Sequence, residues 1–379
     1  MKHNHFILIL LIPVFLILTA CTNHKIAKAQ HPIVEIQKLS HVDLTTYYAS
    51  SMTLEEKIAQ QLVLGFNGTD YNAALKRYSA RNIGGVILFK RNIVNESQLT
   101  QLNRDIFHNA ANIPMFIGID QEGGRVNRLP ASIQNIESAY TIGLSHDKQY
   151  AYQQGRYIGE NVKRMGFNLD FAPVLDIWSN PANKVIGDRS FGHDANTVSD
   201  MSRSFRQGIT DTRIITSGKH FPGHGDTVSD SHETLPVSNK SLDELMKFEL
   251  IPFKQHIDDG IDMLMVSHIS FPDIDNKYPA SISKEIVTNI LKKKLGYKGV
   301  IISDDLSMGA ISDRYSLNEA VVRGLQSGET IMLIGSDAVD VDTLIQYVRS
   351  NVENGNIDKK IIDENNEKII RLKLKYGIL

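Results

Sequence analysis

"VIISDDL", Val300–Leu306, decides how the rest of the chain is read. Val300, Ile301 and Ile302 are β-branched and consecutive, so a strand built from them buries both faces. Strands of that kind belong to parallel sheets covered by helices. The run then stops at two carboxylates, Asp304 and Asp305. Charges at the C-terminal end of such a strand lie where parallel α/β folds place their chemistry.

The pattern recurs. "QLVLGF" from Gln61, "GGVILF" from Gly84, "PMFIGID" from Pro114, "NLDFAPVLDI" from Asn168, "IITSGKH" from Ile214, "MLMVSHI" from Met263 and "TIMLIGS" from Thr330 are all short and nearly continuously apolar. Amphipathic stretches separate them. "TLEEKIAQ" opens with a capping box, Thr53 to Glu56, and "SLDELMKFEL" with another, Ser241 to Glu244. Eight alternating units predict an α/β fold, a (β/α)8 barrel of TIM type in a single domain. A doubly wound open sheet is the competing arrangement. The chain finishes with a basic amphipathic stretch, "KIIRLKLKYGIL".

The 379 residues carry a formal net charge of −2 and are 42% hydrophobic. That balance suits a globular domain and argues against nucleic acid as a partner. "MKHNHFILILLIPVFLILTAC" has a basic start at Lys2 and an apolar run from Phe6 to Ala20. The run has signal-peptide length and is short for a spanning helix of about 20 residues. Its end, "LTAC", resembles the bacterial lipoprotein box, which implies cleavage before Cys21 and lipidation of that cysteine. An uncleaved anchor helix or a buried cysteine are the competing readings. The expected organisation is a signal peptide over 1–20, a tether over 21–39 and the barrel over 40–379. The expected location is the cell membrane, lipid-anchored and facing outside the cytoplasm. Cys21 is the only cysteine, so neither an intramolecular disulfide nor a cysteine nucleophile follows it.

Titratable groups recur at strand ends: Asp120, Asp176, Lys219 with His220, His268 and Asp304. In a barrel these ends share one rim. Burying unpaired charge there is costly, so the repetition points to an enzyme. The densest stretch is "KHFPGHGDTVSDSH", Lys219–His232. His220, His224 and His232 with Asp226 and Asp230 raise the question of a metal. His220 and His224 have the spacing of a zinc-binding helix. Pro222, Gly223 and Gly225 make a helix there improbable, so no metal and no cofactor are expected.

"KHFPGHGDTVSDSH", "IDQEGGRVNRL", "IGDRSFG" and "IISDDLSM" together resemble the β-N-acetylhexosaminidase branch of glycoside hydrolase family 3, over about Leu54 to Leu379. The resemblance is to the barrel-only members. It implies a retaining exo-enzyme that removes terminal β-linked N-acetylglucosamine through a covalent glycosyl-aspartate. The aspartate after serine in "SDDL" maps to Asp304, the nucleophile, with Asp305 as its competitor. The acid/base is a histidine supported by an aspartate, here His232 and Asp230. Imidazole, with a pKa of ~6.5, can both give and take a proton near neutrality. Asp120, Arg128, Arg189, Lys219 and His220 match sugar-binding positions. Arg125 reads as a structural ion pair; Asp176, His224 and His268 receive no role.

The implied partners are N-acetylglucosamine-containing saccharides or muropeptides, met by a monomer. A β-glucosidase, a β-xylosidase or a glycoside phosphorylase of the same family is the alternative. A metal-dependent barrel hydrolase and a non-catalytic sugar-binding barrel are further ones; the latter should lack a nucleophile or an acid, and both match here. Relatives often read Ala-Gly-x-Asp-Met before the last strand, whereas this chain has Thr330 and Ile331 at the Asp-Met positions. The geometry of the last strand is therefore open.

Overall fold

The computed structural model describes residues 41–227 and 235–379, with side chains from Leu44 onward. Cys21, the expected signal peptide and tether, Asp230 and His232 lie outside the described residues.

All eight anticipated strands form. They are β1 Leu62–Leu64, β2 Gly85–Leu88, β3 Phe116–Ile119, β4 Leu169–Asp170, β5 Ile215–Phe221, β6 Met263–Val266, β7 Val300–Ser303 and β8 Met332–Ile334. Neighbours pair in parallel in the order β7-β6-β5-β4-β3-β2-β1-β8. The two ends of that order meet, because Ile302 bridges Ile331 and Ser303 N–H donates to the Ile331 carbonyl. The sheet is thus closed into a (β/α)8 barrel rather than left open.

Successive strand residues point to opposite faces. Val63, Ile87, Phe116, Leu169, Ile215, Met263, Val300, Ile302 and Leu333 fill the interior as one apolar cluster. Leu62, Leu64, Val86, Leu88, Ile117 and Ile119 face outward and join the helices in another. Both sets are buried, which is why the runs are apolar at consecutive positions. The capping boxes at Thr53 and Ser241 are both present.

Two local outcomes differ from the sequence reading. "NLDFAPVLDI" pairs as a strand over Leu169–Asp170 alone, with a single further bridge from Val174 to Lys219. Pro173 falls between them and has no N–H to give to a ladder. At the departure before β8, the Thr330 hydroxyl accepts the Ile301 N–H at 3.2 Å and Thr330 N–H donates to the Ile301 carbonyl at 2.8 Å. Threonine therefore docks the last strand by its own short side chain.

The closing helix, Lys359–Tyr376, lies across the N-terminal mouth of the barrel. Ile369 and Leu372, with Ile378 beyond it, join the interior cluster. Lys373 is fully buried there. Its Nζ donates to Gln60 Oε1 at 2.8 Å and to the Gly84 carbonyl at 2.9 Å, and lies 4.7 Å from the Phe116 ring centroid. Gln60 and Gly84 precede β1 and β2, so this mouth is plugged and the opposite one is left for chemistry.

Candidate active site

At the C-terminal mouth, β3 delivers Asp120 and then turns sharply. Glu122 N–H donates to the Val126 carbonyl and Val126 N–H to that of Gly123. Gly123 and Gly124 take φ of 89° and 52°, a region where a Cβ is unfavourable. The turn sends Glu122 inward. Its carboxylate accepts both prongs of Arg189, Nε and Nη2 each at 2.8 Å, and pairs with Lys219 Nζ at 2.7 Å. Lys219 also donates to Asp120 Oδ1 at 2.6 Å. Burial alone would push the Glu122 carboxyl up; the Arg189 and Lys219 charges overcome it and hold the group below the usual carboxylate range. Burial works against the Lys219 ammonium too, and Asp120 and Glu122 reverse it, so its pKa is raised. Glu122 and Lys219 are therefore both charged near neutrality.

Arg189 is held from outside by its own loop. Arg125 Nε pairs with Asp188 at 2.8 Å, and its Nη2 donates to the carbonyls of Lys184, Val185 and Ile186 at 2.6–2.9 Å. Arg125 is a structural clamp, as its sequence context suggested. Gln121 Oε1 accepts the N–H groups of Arg128 and Leu129 at 2.9 and 3.2 Å, which fixes the segment bearing Arg128. The Arg128 guanidinium is half-buried and makes no hydrogen bond or ion pair with the described residues.

Asp176 organises β5 and the turn beyond it. It is fully buried and accepts His220 Nδ1–H at 2.6 Å, the His220 N–H at 3.2 Å and the His224 N–H at 2.7 Å. Burial raises its pKa, but the His220 contacts outweigh that and leave it lowered. Arg189 Nη2 lies 3.4 Å from His220 Nε2, so the ring joins the Asp176 and Glu122 clusters. His224 is buried. Burial, then the His220 charge, push its pKa down to about 4, so it is neutral at physiological pH. His220 and His224 are not helical neighbours: His220 lies in β5, and His224 in the turn beyond Pro222.

The two aspartates after β7 differ. Asp305 Oδ1 accepts Ser307 N–H at 2.9 Å, Ser307 Oγ–H at 2.6 Å and Gly335 N–H at 2.8 Å. A Cβ on Gly335 would fall 2.3 Å from Asp305 Oδ2, so glycine is what allows this approach. Asp304 donates its N–H to the Val266 carbonyl at 2.9 Å, and its Oδ1 accepts the Asp305 N–H at 2.8 Å. It directly follows β7, which puts it at the C-terminal end of that strand.

Asp120, Arg189, Lys219 and His220 are thus tied into one network, with Asp304 on the same rim and Arg128 outside the network. The network depends on Glu122, which the sequence reading left out. Its signal was an acidic residue on a double-glycine turn, two positions after a strand-end aspartate. Dense, charge-assisted donors and acceptors gathered at one mouth of the barrel suit an uncharged, hydroxyl-rich ligand.

The chain matches the sequence model of the glycosyl hydrolase family 3 N terminal domain over residues 53–372. It is 36% identical to the β-hexosaminidase LpqI of Mycobacterium tuberculosis over 289 residues, covering 73% of this chain and 72% of that one. A family 3 β-N-acetylglucosaminidase structure from Paenibacillus sp. str. FPU-7 superposes with a TM-score of 0.84 at 34% identity, over 86% of this chain and 63% of that one. NagZ from Neisseria gonorrhoeae, solved in complex with N-trifluoroacetyl-D-glucosamine, gives a TM-score of 0.68 at 30% identity, over 77% of this chain and 84% of that one. The chain belongs to glycosyl hydrolase family 3, in its β-hexosaminidase branch, and is a glycoside hydrolase.

Proposed function

We propose that the protein is a retaining exo-β-N-acetylhexosaminidase with Asp304 as nucleophile and the His232–Asp230 pair as acid/base. The observation that carries this reading is the division of labour after β7. The Asp305 carboxylate accepts from Ser307 and Gly335 and so ties two loops together, while Asp304 is the residue that directly follows β7 at its C-terminal end. In the first step the Asp304 carboxylate bonds to the anomeric carbon as the bond to the leaving oxygen breaks. His232 gives its proton to that oxygen. In the second step His232 takes a proton from water, the water oxygen bonds to the anomeric carbon, and Asp304 is released. Two inversions leave the β configuration unchanged.

Asp120, Arg128, Arg189, Lys219 and His220 hold the terminal sugar. The network through Glu122 and Asp176 supports this, because it fixes four of them before a ligand arrives, and preset donors position the ring for attack. N-acetylglucosamine is the expected sugar, supported by the ligand that NagZ carries in its solved structure. Peptidoglycan-derived muropeptides are the expected natural source. They match a chain whose N-terminus reads as a signal peptide ending at a lipidated Cys21, with the barrel outside the cytoplasm. One barrel carries every proposed site residue, so a monomer suffices.

The test is a panel of aryl β-glycosides and a muramic-acid-linked disaccharide, with and without phosphate. The expected outcome is preferred release of N-acetylglucosamine, with the β anomer formed first by proton NMR. A first-formed α anomer, or preference for plain β-glucosides, contradicts the reading. A sugar phosphate as product replaces water with phosphate as acceptor. Cys21→Ala is expected to leave an unlipidated precursor; unchanged mass and membrane attachment contradict the anchor.

A further inference from the structure

His268 is fully buried and follows β6 by two residues. Its Nε2 lies 2.9 Å from the Asp305 carbonyl oxygen and its Nδ1 lies 2.7 Å from Ser281 Oγ. A carbonyl can only accept, so Nε2 carries a proton. With the neutral ring, the Ser281 hydroxyl then donates to Nδ1 and fixes that tautomer.

The carbonyl that His268 holds is part of the turn carrying Asp304. Asp304 N–H is bonded to Val266, and the Asp305 N–H donates back to Asp304 Oδ1 at 2.8 Å. The Asp305 carbonyl shares a peptide with the Leu306 N–H, which donates to the Leu333 carbonyl at 2.9 Å. The rotation of the peptides around Asp305 therefore sets where Asp304 Oδ1 is held. His268 reaches this turn from the neighbouring strand.

We propose that His268 is a positioning residue for the glycosyl transfer: oriented by Ser281, it holds the Asp305 carbonyl and so sets the angle at which the Asp304 carboxylate meets the anomeric carbon. The inference rests on Asp304 being the nucleophile. It predicts a defect in forming the glycosyl-enzyme with little change in sugar binding, because the hydrogen bonds of the ring to Asp305 and Ser281 act on the turn that carries Asp304.

The test compares His268→Phe, which keeps volume and removes both hydrogen bonds, with His268→Gln, which restores an amide N–H for the carbonyl and an oxygen for Ser281. Three readouts are taken on the full chain: kcat, KM, and the rate at which a fluorinated glycosyl fluoride traps the nucleophile. Phe is expected to lose roughly 10²-fold in kcat and in trapping rate, the scale of a small misplacement of a reacting group. KM should stay within about twofold, the mark of an interaction that acts only in the transition state. Gln should recover most of the loss, and its pH–rate limbs should not move, because the ring exchanges no proton with substrate. If Phe does not fold, Ser281→Ala carries the test. It should slow trapping less than Phe does, again at unchanged KM.

Wild-type trapping rate in the Phe variant, or in Ser281→Ala where that variant stands in for it, overturns the proposal. So does a Gln variant as slow as Phe, or a shifted pH limb. If the wild-type label falls on a residue other than Asp304, the nucleophile assignment fails first and the proposal falls with it. A label on Asp304 that forms at full speed in His268→Phe refutes the positioning role alone.

Discussion

At the C-terminal mouth Lys219 lies between Asp120 and Glu122, at 2.6 and 2.7 Å. At the N-terminal mouth Lys373 is equally buried, and its Nζ contacts are Gln60 Oε1, the Gly84 carbonyl and the Phe116 ring. Burial depresses the basicity of both, yet only Lys219 has carboxylates that reverse it, and the two shift in opposite directions. Two glutamates repeat the contrast. Glu122 is lowered by Arg189 and Lys219 after burial raises it. Glu329, before β8, is raised well above the usual range by burial, with Lys292 too weak an opponent and the Asp304 charge adding to the rise. Neither Glu329 oxygen has a hydrogen-bond partner among the described residues. The two mouths show that a buried charge does not by itself mark a site. What marks it is charges bound to one another around an opening, so that a ligand meets them already oriented.

The largest effect should come from the open mouth. Asp304→Asn keeps the size of the side chain and removes the nucleophile, and should lower kcat by roughly 10⁴-fold or more, the scale of deleting a catalytic nucleophile. The same substitution at Asp305 should instead lower the melting temperature, because its carboxylate holds Ser307 and Gly335. If Asp305→Asn left the fold intact and activity fell as far as for Asp304→Asn, the division between the two would fail.

Next comes Arg189→Met, which leaves Glu122 with Lys219 alone. Breaking a buried pair costs about 3–5 kcal/mol. Both stability and kcat/KM should fall, since the lost guanidinium also leaves His220. Denaturant melts and kinetics on the same preparation check this. A fall in stability with normal kcat/KM would make the network structural only.

At the plugged mouth, Lys373→Met should act on stability alone. It leaves Gln60 Oε1 unpaired and the Gly84 carbonyl with the Phe116 N–H alone, at a penalty of about 1–3 kcal/mol. kcat and KM of the folded fraction should match wild type. A changed kcat would mean that the two mouths are coupled.

The smallest effect is one of pH. Glu329 has a raised folded pKa, so above the unfolded value of about 4.3 the folded state holds a proton that the unfolded state has lost. Stability from this group is full below that value and declines as pH rises toward the folded pKa. Glu329→Gln removes the titration, so its melting temperature should gain on wild type as pH increases from about 4.3. A constant difference across that range would show that Glu329 is charged in the fold.

The eight strands and the charged rim were legible because a strand buried on both faces leaves a local pattern. Capping boxes are local as well, and Thr53 and Ser241 were read correctly. Partnership across the barrel was not legible. Glu122 meets Arg189 and Lys219 across long stretches of chain, and one sequence does not show which distant charges will touch. The burial of Lys373 was not legible either: it belongs to a basic amphipathic stretch, and only the closure of the barrel buries it. Pro173 shortened β4 by removing a donor whose partner could not be named in advance.

The site at which a fluorinated β-glycosyl fluoride becomes covalently attached tests the central claim most directly. Peptide mapping of the trapped full-length protein should find one sugar per chain, on Asp304. A label on Asp305, or turnover with no covalent species at all, would contradict it.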